Sequence, residues 1–247
     1  MNYEPSRVLV WFSCGAASAV AAKLAVEKYG PRCLVVYCDT LESEHPDNAR
    51  FFADVERWIG RKIVKIKSDT YENIDDVFVR TKYMAGIAGA RCTTEMKKVP
   101  RLSFQRDTDT HVFGYTAEEE RRAASFEDNN PTLDVEWMLI DVGVTKQMCL
   151  DVLRHARIPI PAMYGLGFEH NNCIGCPKAT SAGYWNRVRR LFPDTFARRA
   201  RQSRLLGARL VRVNGKRTFL DELPPEAHAP DDDIECGPVC QTARAEE

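Results

Sequence analysis

Val8-Leu-Val-Trp-Phe-Ser-Cys-Gly-Ala-Ala-Ser-Ala-Val20 is the stretch on which the rest of the chain turns. Val8 to Phe12 are β-branched or aromatic apart from Leu9, the pattern of a short strand buried on both faces. Every residue of 13–18 is small, and Ala16, Val20 and Leu24 then recur at helical spacing. A strand that feeds a helix through a tight turn of small residues presents backbone N–H groups at the positive end of the helix dipole. That geometry binds phosphate or sulfate. Ser13, Cys14, Gly15, Ala16, Ala17 and Ser18 therefore form a candidate anion loop, although it contains neither G-x-G-x-x-G nor G-x-x-x-x-G-K-[ST].

Outward from this loop, strands and helices alternate. Residues 33–38 read as a second buried strand ending at Asp39-Thr40, where an acidic side chain can accept ribose hydroxyls or an adenine amino proton, or can simply close a turn. Residues 47–59 read as a helix with Phe51, Phe52, Val55, Trp58 and Ile59 on one face, and 62–66 as a third strand. After a loop and short helix over 71–83, Thr93 or Thr94 is placed to cap a helix whose basic face carries Lys97, Lys98, Arg101 and Arg106. Residues 111–115 read as a strand, Thr116 opens a helix, 136–142 read as a further strand and 145–156 as a helix.

This alternation predicts an α/β fold: a Rossmann-like, doubly wound, mostly parallel sheet with helices on both faces and ligands at the carboxyl ends of its strands. The anion loop, Asp39 and Gly114 all fall at such ends. Residues 1–157 make up this expected nucleotide-binding domain. From 158 onward, Pro159, Pro161, Gly165 and Gly167 lead into a cysteine-bearing extension, with helices over 184–206 broken at Pro193 and a hairpin over 210–219 turning at Asn214-Gly215.

Composition narrows the functional classes. The chain has 247 residues and zero net charge, so the molecule as a whole does not steer polyanions. No apolar run reaches the ~18 residues of a membrane span, and residues 1–7 lack an apolar signal core. A cytoplasmic location is expected, and the nine cysteines read as thiols, metal ligands or redox groups instead of a disulfide framework. Residues 183–217 carry eleven Lys and Arg against Asp194 alone, a candidate nucleic-acid surface, a solvated face or a dock for the acidic tail that follows.

Cys173-Ile-Gly-Cys176 is a C-x-x-C in a Gly/Pro-rich loop, a spacing that suits one metal centre or a redox dithiol. Cys92, Cys236 and Cys240 lie in no evident core strand and tilt the reading toward a cluster, whereas Cys33, Cys38 and Cys149 read as small core residues. Cys14 reads either as loop filler or as a thiol beside the ligand.

The motifs taken together resemble the phosphoadenylyl-sulfate (PAPS) reductase family of the adenine nucleotide α-hydrolase superfamily, in a form frequent among phage and prophage proteins. Ser13-Cys-Gly-Ala-Ala-Ser18 resembles the PP-loop S-G-G-x-D-S, with Ala17 in place of the aspartate, as in the reductases. Asp39-Thr40 with Pro46 resembles D-T-G…F-P-E-T; Cys92-Thr-Thr-Glu-Met-Lys97-Lys-Val-Pro100 resembles C-T-x-x-L-K-x-x-P. Gly114-Tyr-Thr-Ala-Glu-Glu119 resembles G-I-R-x-E-E/S with Thr116 replacing the arginine, and Glu235-Cys-Gly237 resembles the E-C-G of the catalytic cysteine.

The resemblance implies an oxidoreductase that binds PAPS, adenylyl sulfate (APS) or ATP. The loop and Ser13 and Ser18 would hold phosphate or sulfate and Asp39 the nucleoside, with Thr40 and Gly114 also at the nucleotide and Lys97 and Arg121 offsetting anionic charge. It further implies a [4Fe–4S] cluster on Cys92, Cys173, Cys176 and Cys240, and Cys236 as nucleophile. In that chemistry the Cys236 thiolate attacks the sulfur, releases AMP or its 3′-phosphate, and leaves an S-sulfocysteine that a second thiol, such as a thioredoxin, resolves. Two other readings stand beside it. One is an ATP pyrophosphatase-type sulfurtransferase that thiolates nucleic acid through 183–217. The other is a non-catalytic module with a structural Cys₄ zinc site. Self-association is compatible with all three.

Overall fold

The computed structural model describes residues 6–86 and 89–230. In chain order its first half runs β1 (Val8–Phe12), α1 (Ala16–Tyr29), β2 (Cys33–Cys38), α2 (Asn48–Ile59), β3 (Val64–Ile66) and α3 (Ile74–Thr81). A two-stranded hairpin, β4 (Ala85–Gly86) and β5 (Gly89–Ala90), leads to α4 (Arg91–Thr93), a π-helical turn (Thr94–Lys98) and α5 (Val99–Phe104). Then come β6 (Thr110–Phe113), α6 (Glu120–Asn129), β7 (Asp134–Glu136) and α7 (Lys146–His155). The remainder holds α8 (Ala162–Gly165), α9 (Ala182–Leu191), α10 (Pro193–Leu205) and the hairpin of β8 (Val211–Val213) and β9 (Lys216–Thr218).

Five strands form one all-parallel sheet in the order β3-β2-β1-β6-β7. The chain builds outward from β1 to β3, then returns to the other side of β1 for β6 and β7. The order therefore reverses between β1 and β6, which is where open α/β sheets bind ligands. β1 is central, and its five residues are all buried. Val8, Val10 and Phe12 pack on one face with α1, α2 and α7, while Leu9 and Trp11 pack on the other with Phe113, Tyr115 and Phe126. Burying each such large side chain contributes roughly 1.5–3 kcal/mol.

α1 carries alanine where other helices carry bulk: Ala19, Ala21, Ala22 and Ala25 are each 0% exposed. Small side chains let the helix lie close on the sheet, and its first turn is thereby held over the β1–β6 junction. α2 ends at Gly60, whose φ of 67° supplies the left-handed cap that a side chain would resist.

A second core joins residues 74–96 to 163–223, with Phe78, Met84, Trp185 and Val188 among its buried members. The C-terminal extension thus shares an interior with the α3–α4 region. Two sequence expectations differ locally. Residues 138–143 are turns, not strand, because Asp141 N–H bonds the Trp137 carbonyl (2.9 Å) and Gly143, at φ 68°, bonds Ile140 (3.0 Å). β7 lies just before them. The helical stretch carrying Lys97 starts at Arg91, so Thr93 and Thr94 lie inside it and do not cap it. The hairpin turn is as expected, with Asn214 at φ 50° and Gly215 at φ 78°. No helix among the described residues is long and apolar enough to cross a membrane.

Candidate functional site

A cleft opens above the carboxyl ends of β1 and β6. Its walls include Ser13, Gly15, Ala17 and Ser18 of the anion loop, Lys97 of the π-turn and Gly114 after β6. All six are candidate site residues by sequence. Gly15 is the N-cap of α1 and supplies no side chain to the first-turn amides, and no acidic residue sits in that turn. Ser18 Oγ takes the Ser13 N–H (3.1 Å) and the Ser13 hydroxyl (3.1 Å), and donates to the Gly15 carbonyl (3.0 Å). The two serines thereby tie the ends of the loop together beside a helix N-terminus, a position suited to an anion.

The loop's backbone is unusual at Cys14, a non-glycine residue at φ 57°. That conformation turns its carbonyl inward, where the Asn171 amide donates to it at 2.7 Å. The same Asn171 nitrogen donates to Asn48 Oδ1 (2.8 Å), Asn48 donates to Glu44 (2.7 Å), and Thr40 donates to the other Glu44 oxygen (2.7 Å). Asn48 is 0% exposed and the other three side chains are buried, so the chain of hydrogen bonds is sheltered from competing water.

Cys14 is itself 0% exposed, and burial, reinforced by Glu44, pushes its thiol well above the usual range. Its surroundings are those of a small buried core residue filling the loop. Ala16 is also buried, beneath the cleft surface. Asp39 lies off the cleft; its carboxylate accepts the Leu41 N–H (3.3 Å) and closes a turn, and Thr40 is committed to Glu44. Arg121 is exposed and does not line the cleft, whereas Arg122 lies over the Tyr115 ring at 4.5 Å and pairs with Glu119 (2.7 Å). One residue of helical rotation decides which arginine faces the cleft wall. Thr116 forms a capping box with Glu119.

Lys97 is buried at 8% exposure although it is charged. The π-turn, closed by Val99 N–H onto the Thr94 carbonyl, bulges the helix at this point and brings the lysine to the cleft. Lys146, Tyr164, His170 and Asn172 also line the cleft, though no motif or spacing in the sequence singles them out. Lys146 Nζ bonds the Glu169 carbonyl (2.6 Å), and the Tyr164 hydroxyl faces the Ala16 N–H at 3.5 Å. Lys146 comes from the start of α7, and Tyr164, His170 and Asn172 from the segment before the C-x-x-C. Its spacing from the loop in sequence, 157 residues from Cys14 to Asn171, conceals their adjacency.

The C-x-x-C turn has fixed backbone. Ile174 N–H bonds the Ser43 carbonyl (2.9 Å), Cys176 N–H bonds the Tyr184 hydroxyl (2.9 Å), and Arg199 Nε bonds the Gly175 carbonyl (3.1 Å). Arg199 is 1% exposed and also pairs with Asp75. Cys92, Cys173 and Cys176 are all buried in the second core. Among the described residues no group of three or more His, Cys, Asp or Glu side chains is arranged to hold a metal ion. Cys236 and Cys240, expected as nucleophile and fourth ligand, lie outside the described residues.

Much of the basic stretch 183–217 is engaged internally. Arg189 bonds the Leu223 carbonyl (2.8 Å), Arg204 pairs with Asp221 and Glu222 (2.7 Å each), Arg217 bonds the Leu210 carbonyl (2.8 Å), and Arg199 is buried as described. The acids that begin the tail thus dock on α10. No protein-family model matches the chain, and no curated protein does.

Proposed function

We propose that this chain is an adenine-nucleotide-binding enzyme of sulfur metabolism that works in the manner of the PAPS and APS reductases. The observation that carries the reading is the position of the cleft. The glycine-capped first turn of α1, Ser13 and Ser18 meet a buried lysine at the point where strand order reverses. Phosphate or sulfate occupies the loop, Lys97 and Lys146 offset its charge, and the nucleoside extends along the walls formed by residues 113–116.

Ala17 in the cleft wall presents a methyl group where the ATP pyrophosphatases have a carboxylate. That favours a sulfonucleotide over ATP cleavage. The sulfur chemistry rests on the resemblance: Cys236 attacks the sulfonyl sulfur, the nucleotide leaves, and a reducing thiol releases sulfite. The internal pairing of Arg189, Arg199, Arg204 and Arg217 weakens the nucleic-acid reading.

The test is anaerobic purification of the full chain, then binding and sulfite-release assays with APS, PAPS and ATP and a dithiol reductant. A bound sulfonucleotide that yields sulfite agrees with the proposal. Binding of none of the three refutes it.

A further inference from the structure

The described hydrogen bonds join the anion loop to the thiol turn. Asn171 grips the Cys14 carbonyl and Asn48; two residues later Cys173 begins the turn whose Ile174 N–H bonds Ser43. Both attachments run to the same short region, residues 43–48, that carries Glu44 in the cleft wall. The segment leading in is fastened there too: Ala162 N–H bonds Asp47 (3.0 Å), and Arg50 bonds the Pro159 carbonyl (2.9 Å).

The Asn171 side chain can take only one orientation. Its Nδ2 donates to two acceptors, the Cys14 carbonyl and Asn48 Oδ1, and Asn48 must accept there because its own Nδ2 donates to Glu44. Turning the amide over would set oxygen against oxygen twice. In this orientation Asn171 Oδ1 is buried without a partner. By bonding both the carbonyl of left-handed Cys14 and Asn48 through one nitrogen, the Asn171 side chain acts on the loop's shape.

From this we infer that Asn171 is a positioning residue through which the anion loop and the Cys173–Cys176 turn hold one another, so that filling the loop tightens the turn. The ligand half of this statement rests on the anion-binding reading above; the mutual support of the two segments does not. An anion drawn onto the loop amides fixes the peptides on either side of Cys14. Asn171 carries that restraint to the backbone of the thiol turn without any covalent step.

Amide hydrogen–deuterium exchange on the full chain tests it, with peptides covering 13–18, 171–177 and α7 followed by mass spectrometry. In ligand-free protein, Asn171→Ala and Asn171→Asp should each speed exchange in both 13–18 and 171–177 by about tenfold, with α7 unchanged. Asn171→Asp is the decisive variant. It keeps the volume and removes the donor, so a space-filling role leaves it near the unmutated protein, while a donor role makes it at least as loose as alanine. With pyrophosphate or ATP added, the unmutated protein should slow in both segments, and the variants only in 13–18. Loosening of one segment without the other, equal loosening of α7, or a near-normal Asn171→Asp protein overturns the inference. If no ligand protects 13–18 in the unmutated protein, the anion-binding reading fails, and the ligand-free comparison still decides the role of Asn171.

Discussion

Gly114, just beyond β6, lies against the first turn of α1 so closely that a β-carbon there would stand 2.6 Å from both the nitrogen and the α-carbon of Ser18. The neighbour is backbone of the candidate anion site, so it cannot rotate aside. Gly114 therefore sets the distance between β6 and the helix end that faces the cleft.

Gly114→Ala should shift the start of α1, cost about 1–3 kcal/mol in urea unfolding and weaken nucleotide binding together. Gly15→Ala is the control. Its β-carbon would meet Ser13 Oγ and the Tyr164 hydroxyl at 3.6 Å, an ordinary contact, at φ −94°. That variant should lose no more than about 0.5 kcal/mol. Equal losses in the two would remove the special role of Gly114.

Cys14 lies in the loop yet should be chemically silent. Burial holds its thiol protonated well above the usual range, and nucleophilic attack needs the thiolate. At pH 8 its alkylation should be at least about tenfold slower than that of an unperturbed thiol. Cys14→Ala should retain nucleotide binding, as measured by calorimetry. Rapid alkylation confined to Cys14 in the folded protein would contradict the burial argument.

His111 gives the protein a pH dependence distant from the cleft opening. It is 0% exposed, the Trp11 indole N–H donates to its Nδ1 (3.0 Å), and burial, with Arg101 adding to it, lowers its pKa from 6.5 to about 4. As pH falls, the unfolded chain binds this proton before the folded one. The stabilisation from the neutral ring is full above pH 6.5 and is lost between 6.5 and 4, on the order of 3 kcal/mol in all. Urea unfolding across that range should show the slope, and His111→Phe should flatten it. An unchanged slope in that variant would assign the effect elsewhere.

The sheet was legible in sequence because β1 and β2 are buried runs of apolar residues, and the anion loop because small residues follow such a run. The cleft's second wall was not. Asn171, Tyr164 and Lys146 act through contacts far along the chain, and no local period announces them. The π-turn that delivers Lys97 was also hidden, since Thr94-Glu-Met-Lys-Lys98 reads as ordinary helix. Asp39 and Arg121 show the reverse limit. Each carries the right chemistry at nearly the right place, yet a turn hydrogen bond and one step of helix rotation direct them elsewhere.

Calorimetric titration of APS, PAPS and ATP into the full chain and into Ala17→Leu tests the central claim most directly. Ala17 lines the cleft on the first turn of α1, so a leucine there projects into the space assigned to phosphate or sulfate. The account predicts binding to the unmutated protein, and loss of at least about tenfold in affinity for Ala17→Leu with the circular dichroism spectrum and melting temperature retained. Equal nucleotide affinity in the two proteins, or no heat of binding from any of the three nucleotides in the unmutated protein, would contradict it.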